Sequence, residues 1–387
     1  MDNVWLASAL WIGLALLASI ISIRIAISVA LVEIIVGAVA GNAIGLDITP
    51  WVNFLAGFGA IMLTFLAGTE IDSQIIRKKL GPSVGIGVAS FAAPYVGVLL
   101  WARYIEGWSW PAAQIAGISL STTSVAVVYA VMVESGFNKT ELGKTILAAC
   151  FITDLGTVLA LGIVFAHFDV WLALFGAATA VVLWLLPSFA PWFLEKVGHR
   201  ISEPAIKFIC VVLLALGGMS QIAGSEAVLP AYLVGMALAP AFMNDPELPH
   251  RMRIIAFTIL TPFYFLKAGS LVSLATITSA AGLILIFLAL KMITKFVGIL
   301  PLTRFYDFER REGMFTTLLM STGLTFGTIS ALFGLTNNII DQQQYTILVA
   351  AVIGSAVVPT LIAQTWFMPT FKRLDAETAE TQEQSNV

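Results

Sequence analysis

Long apolar stretches, separated by short polar turns, follow one another along almost the whole chain. Each has roughly twenty residues, the length that an α-helix needs to cross the hydrocarbon core of a bilayer. The stretches lie near residues 4–22, 28–46, 51–70, 82–104, 111–134, 143–166, 169–189, 204–222, 225–242, 252–273, 277–302, 313–335 and 342–366. This pattern predicts an all-α membrane protein with about thirteen transmembrane helices.

The composition also indicates a lipid environment. The chain of 387 residues is 59% hydrophobic and only 11% charged, with a mean hydropathy of +0.93. A soluble domain of this size cannot bury so much apolar surface. The formal net charge of -3 argues against a nucleic-acid partner. Cys150 and Cys210 lie inside apolar stretches, so we expect unpaired packing residues rather than a disulfide or a metal pair.

The basic residues predict how the chain is oriented in the membrane. Of the 20 lysines and arginines, almost all lie in alternate loops, and the other set of loops holds only Arg103. The positive-inside rule then places the amino terminus outside and the carboxyl terminus in the cytoplasm. We expect residues 1–374 to form a multi-pass unit in a bacterial inner membrane. Residues 375–387 are polar and acidic, which is typical of a disordered tail.

Short motifs recur at an offset of about two hundred residues. The recurring pairs are Gly37 with Gly235, Gly68 with Gly269, and Ser121-Thr122 with Ser321-Thr322. Their shared order predicts two inverted repeats, near 4–166 and 204–366, joined by a linker helix near 169–189. Secondary transporters with inverted repeats bind their substrate near the middle of the membrane, at the interface between the repeats.

Two apolar stretches are interrupted by hydroxyl-bearing residues at matching positions of the two repeats. They are Gly117–Ser124, which includes Thr123, and Met320–Thr328, which includes Thr322. Serine, threonine and glycine weaken a helix, so we expect two broken, crossing helices that present carbonyls and hydroxyls to an ion. In the alternative, the hydroxyls bond to carbonyls of their own turn in continuous helices.

Asp154 lies inside an apolar run and follows Thr153. From a helix start near Gly143, about 1.5 Å per residue places it roughly 16 Å deep, near the middle of the bilayer. A carboxylate there is costly and marks an ion or proton path. It can hold a cation or a proton but not easily both, which is the property that cation/proton exchange requires. In the alternative, Asp154 is structural, either neutral or paired with a lysine.

Two lysines share one face of a later apolar stretch, because Lys291 and Lys295 are four residues apart. We expect at least one of them to pair with Asp154 or with the ends of the broken helices. In the alternative, Lys295 extends its ammonium to the cytoplasmic interface, since its helix ends only about seven residues later.

Four further charged residues lie in or beside the predicted spans. Lys267 is expected to line a cavity or to pair with Glu226. Glu33 and Glu70 lie near the cytoplasmic ends of the second and third helices. They are expected to shape an inner funnel or a local ion pair rather than to bind the transported ion.

Five segments together resemble the second monovalent cation:proton antiporter family. They are Val32–Gly37, Leu63–Asp72, Thr123-Ser124, Thr153-Asp154 and Thr294–Gly298. Two departures are visible: Val32 replaces a motif glycine, and Thr153 stands where relatives carry Asn, Asp or Gln. In relatives with two aspartates the first one pairs with the lysine, so the partner of Lys295 is left open here.

The resemblance implies a homodimer with a dimerisation domain and a separate ion-carrying core, and no cofactor. We expect an antiporter that exchanges Na⁺, or alternatively K⁺, for protons by alternating access, without ATP. Asp154 would carry the ion, helped by Thr123, Ser124 and Thr153. A sodium-coupled symporter of an organic anion is the main alternative, because it shares this architecture. A channel-like or sensory protein and an intramembrane enzyme are further alternatives, for which the sequence holds no motif.

Overall fold

A computed structural model describes residues 3–25, 28–69, 80–134, 137, 140–165, 170–197, 202–223, 227–245 and 247–369. All regular structure in these ranges is helical. Glu70, Glu226 and the tail 375–387, each the subject of an expectation above, lie outside them.

The first half of the chain forms helices α1 to α8. Their bounds are α1 Val4–Ile25, α2 Val29–Ile44, α3 Pro50–Thr69, α4 Leu80–Tyr104, α5 Trp110–Ser121, α6 Val125–Glu134, α7 Glu141–Val164 and α8 Val170–Val197. The predicted linker helix is α8, and it extends well beyond residue 189 because Pro187 and Pro191 are accommodated inside it.

The second half forms helices α9 to α17. Their bounds are α9 Pro204–Ile222, α10 Val228–Asn244, α11 Glu247–Ile255, α12 Thr261–Ser270, α13 Leu274–Ser279, α14 Ala281–Phe305, α15 Arg310–Met320, α16 Thr325–Thr336 and α17 Gln342–Ile362. A π-helical turn, Ala256–Leu260, connects α11 to α12, so these two helices form one continuous segment.

Ten segments in the described ranges are long and apolar enough to cross a membrane. Two shorter apolar helices, Val29–Ile44 and Val228–Met243, accompany them. The all-helical membrane fold is therefore confirmed. The number of thirteen spans stays a prediction, as do the two inverted repeats.

Local sequence explains where several helices begin. The Ser109 side chain accepts a hydrogen bond from the Ala112 amide at the start of α5, and Thr140 accepts one from Gly143 at the start of α7. Asp341 begins α17 with a reciprocal pair of hydrogen bonds to the third residue of the helix. Such caps satisfy backbone amides that have no partner within the helix.

Glycines let four helices pack with their backbones in contact. A Cβ atom on Gly37 of α2 would overlap the Leu266 carbonyl of α12, and one on Gly269 of α12 would overlap the Ile34 carbonyl of α2. In the same way, Gly68 of α3 faces α10. Small residues allow this close approach, which stabilises helix pairs in a membrane where apolar burial gives little driving force.

The paired glycines also relate the two halves of the chain. The recurring motifs match α2 with α10 and α3 with α12. If each helix is replaced by its match, the contact between α2 and α12 becomes the contact between α10 and α3. Both contacts are present and both are made through the recurring glycines. This arrangement is the one that two related repeats of any orientation would give, and their inversion stays a prediction.

A second group of helices packs beside this first one. Helices α4, α5, α7, α14, α15, α16 and α17 contact one another and surround the short gaps between α5 and α6 and between α15 and α16. We call this group the core. We call the group made of α1–α3 and α8–α12 the scaffold.

We predict that Gly68→Ala will destabilise the protein by about 1–3 kcal/mol, the usual cost of overpacking. The added methyl group overlaps the Tyr232 carbonyl, so α3 and α10 must separate. The measurement is the thermal unfolding midpoint in detergent. Gly57→Ala is the matched control, because it lies on the same helix with no heavy atom within 4 Å of the added carbon. Equal midpoints for the two variants would contradict the prediction.

Candidate ion-binding site

Two helices of the core stop and restart deep inside the protein. Helix α5 ends at Ser121 and α6 begins at Val125. In the same way, α15 ends at Met320 and α16 begins at Thr325. Hydroxyls help to end these helices, since Thr122 Oγ1 donates to the Ser119 carbonyl at 3.1 Å and Thr322 Oγ1 to the Leu319 carbonyl at 2.8 Å. Some hydroxyls therefore bond to carbonyls of their own turn, as the alternative interpretation held, but the helices are not continuous.

The two breaks hold each other directly. Thr123 Oγ1 donates to the Met320 carbonyl at 2.9 Å, and the Ser124 amide donates to Thr322 Oγ1 at 3.4 Å. All four residues are buried. Backbone groups released at one break are thus partly satisfied by the other break, as a dry environment requires.

Lys295 of α14 lies at the crossing of the breaks. Its ammonium donates to Ser90 Oγ at 2.7 Å, to the Ser121 carbonyl at 2.7 Å and to Thr123 Oγ1 at 3.0 Å. These acceptors match the three N–H donors of an ammonium. The Ser121 carbonyl ends α5, where the helix dipole favours a positive charge. Because Lys295 is fully buried, the alternative in which it extends to the cytoplasmic interface is wrong.

Lys291 lies one turn earlier on α14 and is adjacent to the other break, between α15 and α16. Its ammonium donates to Ser355 Oγ of α17 at 3.0 Å. A Cβ atom on Gly323, inside the break between α15 and α16, would overlap the Lys291 ammonium nitrogen. Each lysine therefore contacts a different broken helix, which agrees with the expectation that lysines neutralise the broken ends.

Asp154 is buried on α7, beside this crossing. The Cys150 thiol, one turn earlier on α7, donates to the Met320 sulfur at 3.5 Å, and Met320 is the last residue of α15 before its break. The neighbouring Thr153 hydroxyl donates to the carbonyls of Gly87 at 3.2 Å and Ala149 at 3.0 Å. The structure thus brings Asp154, Thr153, Thr123, Ser124 and both lysines of α14 into one region of the core.

The remaining candidates lie elsewhere or outside the described ranges. Glu33 is buried in α2 of the scaffold, and Lys267 is buried in α12, where it lines a separate cavity. Glu70 and Glu226 lie outside the described residues, so the predicted Lys267–Glu226 pair stays a prediction. Cys150 and Cys210 are free thiols, as expected.

Sequence reasoning missed two residues of the site, Ser90 and Ser355. Each is a small residue within an apolar helix, and such residues are common in membrane helices. The lysine contacts of Ser90 and Ser355 join residues 205 and 64 positions apart, so only the fold reveals them.

An all-helical membrane protein with two interlocked helix breaks around a buried carboxylate belongs to the class of secondary transporters. The chain belongs to the family described as "Sodium/hydrogen exchanger, transmembrane", whose pattern matches residues 12–368. The expected identification as a cation/proton antiporter is confirmed, and the protein is not an enzyme. The alternative of an organic-anion symporter receives no support from the comparisons.

Individual relatives agree with this family. The probable Na⁺/H⁺ antiporter 3 of Methanocaldococcus jannaschii is 27% identical over 351 residues, which cover 87% of this chain and 88% of that protein. The Na⁺/H⁺-K⁺ antiporter GerN of Bacillus cereus is 22% identical over 364 residues, covering 90% and 93%. The solved structure of the sodium proton antiporter MjNhaP1 from M. jannaschii has the same fold, with a TM-score of 0.70, 14% identity, and coverage of 93% of this chain and 98% of that one.

We predict that Thr123→Val will lower the free energy of unfolding by about 1–3 kcal/mol, because the Lys295 ammonium and the Met320 carbonyl both lose a buried partner. Thermal unfolding in detergent measures the change. Thr328→Val is the matched control, since this equally buried hydroxyl bonds only to the carbonyl of Leu324 in its own helix turn. A loss of similar size in the control would show that the crossing has no special stabilising role.

Proposed function

We propose that Asp154 is the group that binds the proton and the cation in turn, with Na⁺ as the favoured ion and K⁺ as the other candidate. One observation carries the proposal: Asp154 is a carboxylate buried in the core on α7, one turn from Cys150, whose thiol contacts Met320 at the break that follows α15. A buried negative charge at that position can be neutralised by a proton or by a monovalent cation, which are the two ions that this class of protein exchanges.

Oxygen atoms around Asp154 are suited to replace part of a cation's water shell. The hydroxyls of Thr123, Thr153 and Thr322 donate their protons to carbonyls. Thr123 also accepts a bond from Lys295 and Thr322 one from the Ser124 amide, so each of these two keeps one further lone pair for a cation. Ser124 is buried beside them. A monovalent cation needs such hydroxyl and carbonyl oxygens when it leaves water.

Exchange follows from competition at this one carboxylate. When Asp154 is empty, its charge is offset by Lys295; an arriving cation displaces that interaction, and an arriving proton removes the negative charge. The core then moves relative to the scaffold and exposes Asp154 to the opposite side, which is alternating access. The close glycine contacts within the scaffold give it the rigidity that such a movement needs.

The wider organisation completes the proposal. Residues 1–374 form the exchanger, with repeats near 4–166 and 204–366 around a linker helix. The positive-inside rule supports an amino terminus outside and a carboxyl terminus in the cytoplasm, in a bacterial inner membrane. We propose a homodimer, which the family resemblance supports.

We predict that Asp154→Asn will abolish cation-dependent proton exchange, because the amide cannot ionise and so binds neither ion. The measurement is dye-reported proton flux in proteoliposomes, with Na⁺, K⁺ and Li⁺ added in turn. Glu33→Gln is the matched control, since it also removes a buried carboxylate, but from α2 of the scaffold. Near-normal flux in Asp154→Asn, or equal losses in both variants, would overturn the mechanism.

We predict that Lys295→Gln will keep measurable exchange but tighten the apparent affinity for Na⁺ several-fold at alkaline pH, where protons compete least. The change removes a positive charge that interacts with Asp154 and frees Ser90 and Thr123 oxygens. Lys291→Gln is the comparison, because it removes an equal charge at the other break. If the affinity changes only in Lys291→Gln, the lysine that opposes the ion lies one turn earlier on α14.

A further inference from the structure

A second polar region lies away from the crossing of the breaks. It is a cavity of about 380 Å³ between the scaffold helices α3, α9, α10 and α12 and the core helix α16. Its lining includes Asn53, Gln221, Tyr264, Lys267 and Thr336. Because it lies where core and scaffold meet, its shape depends on the position of the core.

The charge of this cavity is unusual for a protein that moves cations. Lys267 lines it with only 9% of its surface exposed, and no aspartate or glutamate is among the described residues around it. Within the described ranges the side-chain ion pairs are Lys144–Glu141 and Arg251–Glu203, neither of which involves Lys267. A buried ammonium without a counter-charge is costly.

The neutral groups of the cavity are of the kind that bind an anion. Asn53 and Gln221 lie at its exposed mouth, and each amide offers two N–H donors. Lys267 adds a charged donor at the buried end. The described lining thus combines the Lys267 ammonium with neutral N–H donors and holds no carboxylate. Such a lining suits a negative ligand better than a positive one.

We propose that this cavity binds a small monovalent anion of the halide class beside the Lys267 ammonium. The volume accommodates such an anion together with water. The bound anion provides the counter-charge that the described lining lacks.

The consequence for exchange rests on the proposed function. An occupied site neutralises Lys267, which otherwise repels cations that enter this cavity.

An aromatic pair separates the proposed anion from the carboxylate of the exchange site. Val228 and Ile329 line the cavity, and one helical turn deeper lie Tyr232 of α10 and Phe326 of α16. Their rings meet edge to face at 6.3 Å. The Tyr232 hydroxyl donates to the Phe151 carbonyl of α7 at 3.1 Å, three residues before Asp154. In this structure the aromatic pair therefore lies between the proposed anion and Asp154, so an anion beside Lys267 does not contact that carboxylate.

Chloride binding can be measured without transport. We expect chloride or bromide to raise the thermal unfolding midpoint of the purified protein in detergent, in a saturable way, relative to gluconate at constant Na⁺ and ionic strength. Lys267→Gln should weaken the apparent chloride affinity by at least about tenfold, because a charge-assisted bond is lost. Lys267→Arg should retain it. Lys207→Gln, which removes an exposed charge from α9, is the matched control and should behave as the parent.

Several results would overturn the proposal. One is equal stability of the parent in chloride and gluconate, and another is an unchanged chloride response in Lys267→Gln. A third is a response that is absent in the parent and appears in Glu226→Gln, since Glu226 would then be the counter-charge of Lys267. If Lys267→Gln does not fold, line broadening of the chloride NMR signal, compared between the parent and Lys267→Arg, decides the matter.

The test is independent of the exchange mechanism. Asp154→Asn should keep the full chloride response, because Asp154 is not part of the cavity lining. If Asp154 proves not to carry the exchanged ions, the measurement of chloride binding remains valid. If no chloride binds, the proposed exchange through Asp154 is unaffected. In proteoliposomes, replacing chloride by gluconate should slow exchange in the parent and have little effect in Lys267→Gln.

Discussion

Two helices broken in the interior of a membrane protein impose the constraint on which the rest of this structure depends. Each break releases backbone groups where water is scarce, and an unsatisfied group there costs several kcal/mol. Here the breaks satisfy each other through Thr123 with the Met320 carbonyl and Ser124 with Thr322. The lysines of α14 complete the arrangement, Lys295 at the end of α5 and Lys291 beside Gly323. The fold therefore requires these polar residues at its centre, whether or not they bind an ion.

Close glycine packing occurs within both the core and the scaffold. In the core, a Cβ atom on Gly87 of α4 would overlap the Ala149 carbonyl of α7. The scaffold helices α2, α3, α10 and α12 meet through glycines such as Gly37 and Gly68, where even one added carbon would overlap a carbonyl. The contact between core and scaffold is partly replaced by the cavity that contains Lys267. An interface with empty volume resists movement less than one with interlocked backbones. Close backbone packing is thus found within each group of helices, and empty volume lies at the boundary between them.

The sequence indicated which polar residues form the candidate site, but not the contacts between them. Asp154, the hydroxyl-rich stretches and the lysine pair stand out because polar residues in apolar spans are costly and must have a reason. The all-helical fold followed from the length of the apolar runs. Ser90 and Ser355 could not be predicted, since an isolated serine in a membrane helix usually bonds to its own turn. The position of Lys295 was equally ambiguous, because a long side chain near a helix end can reach either water or a buried acceptor.

In the proposed mechanism, charge balance links the broken helices to exchange. The negative charge of an ionised, empty Asp154 would be offset by Lys295 in a region of low dielectric constant, where such interactions are strong. A bound proton and a bound monovalent cation each neutralise that charge, so the two loaded forms of the core carry the same net charge. The fixed positive charges at the breaks are thus balanced in the same way whichever ion is bound. In this mechanism, movement of the core would have a similar electrostatic cost with either ion, and one carboxylate would suffice to couple the two fluxes in opposite directions.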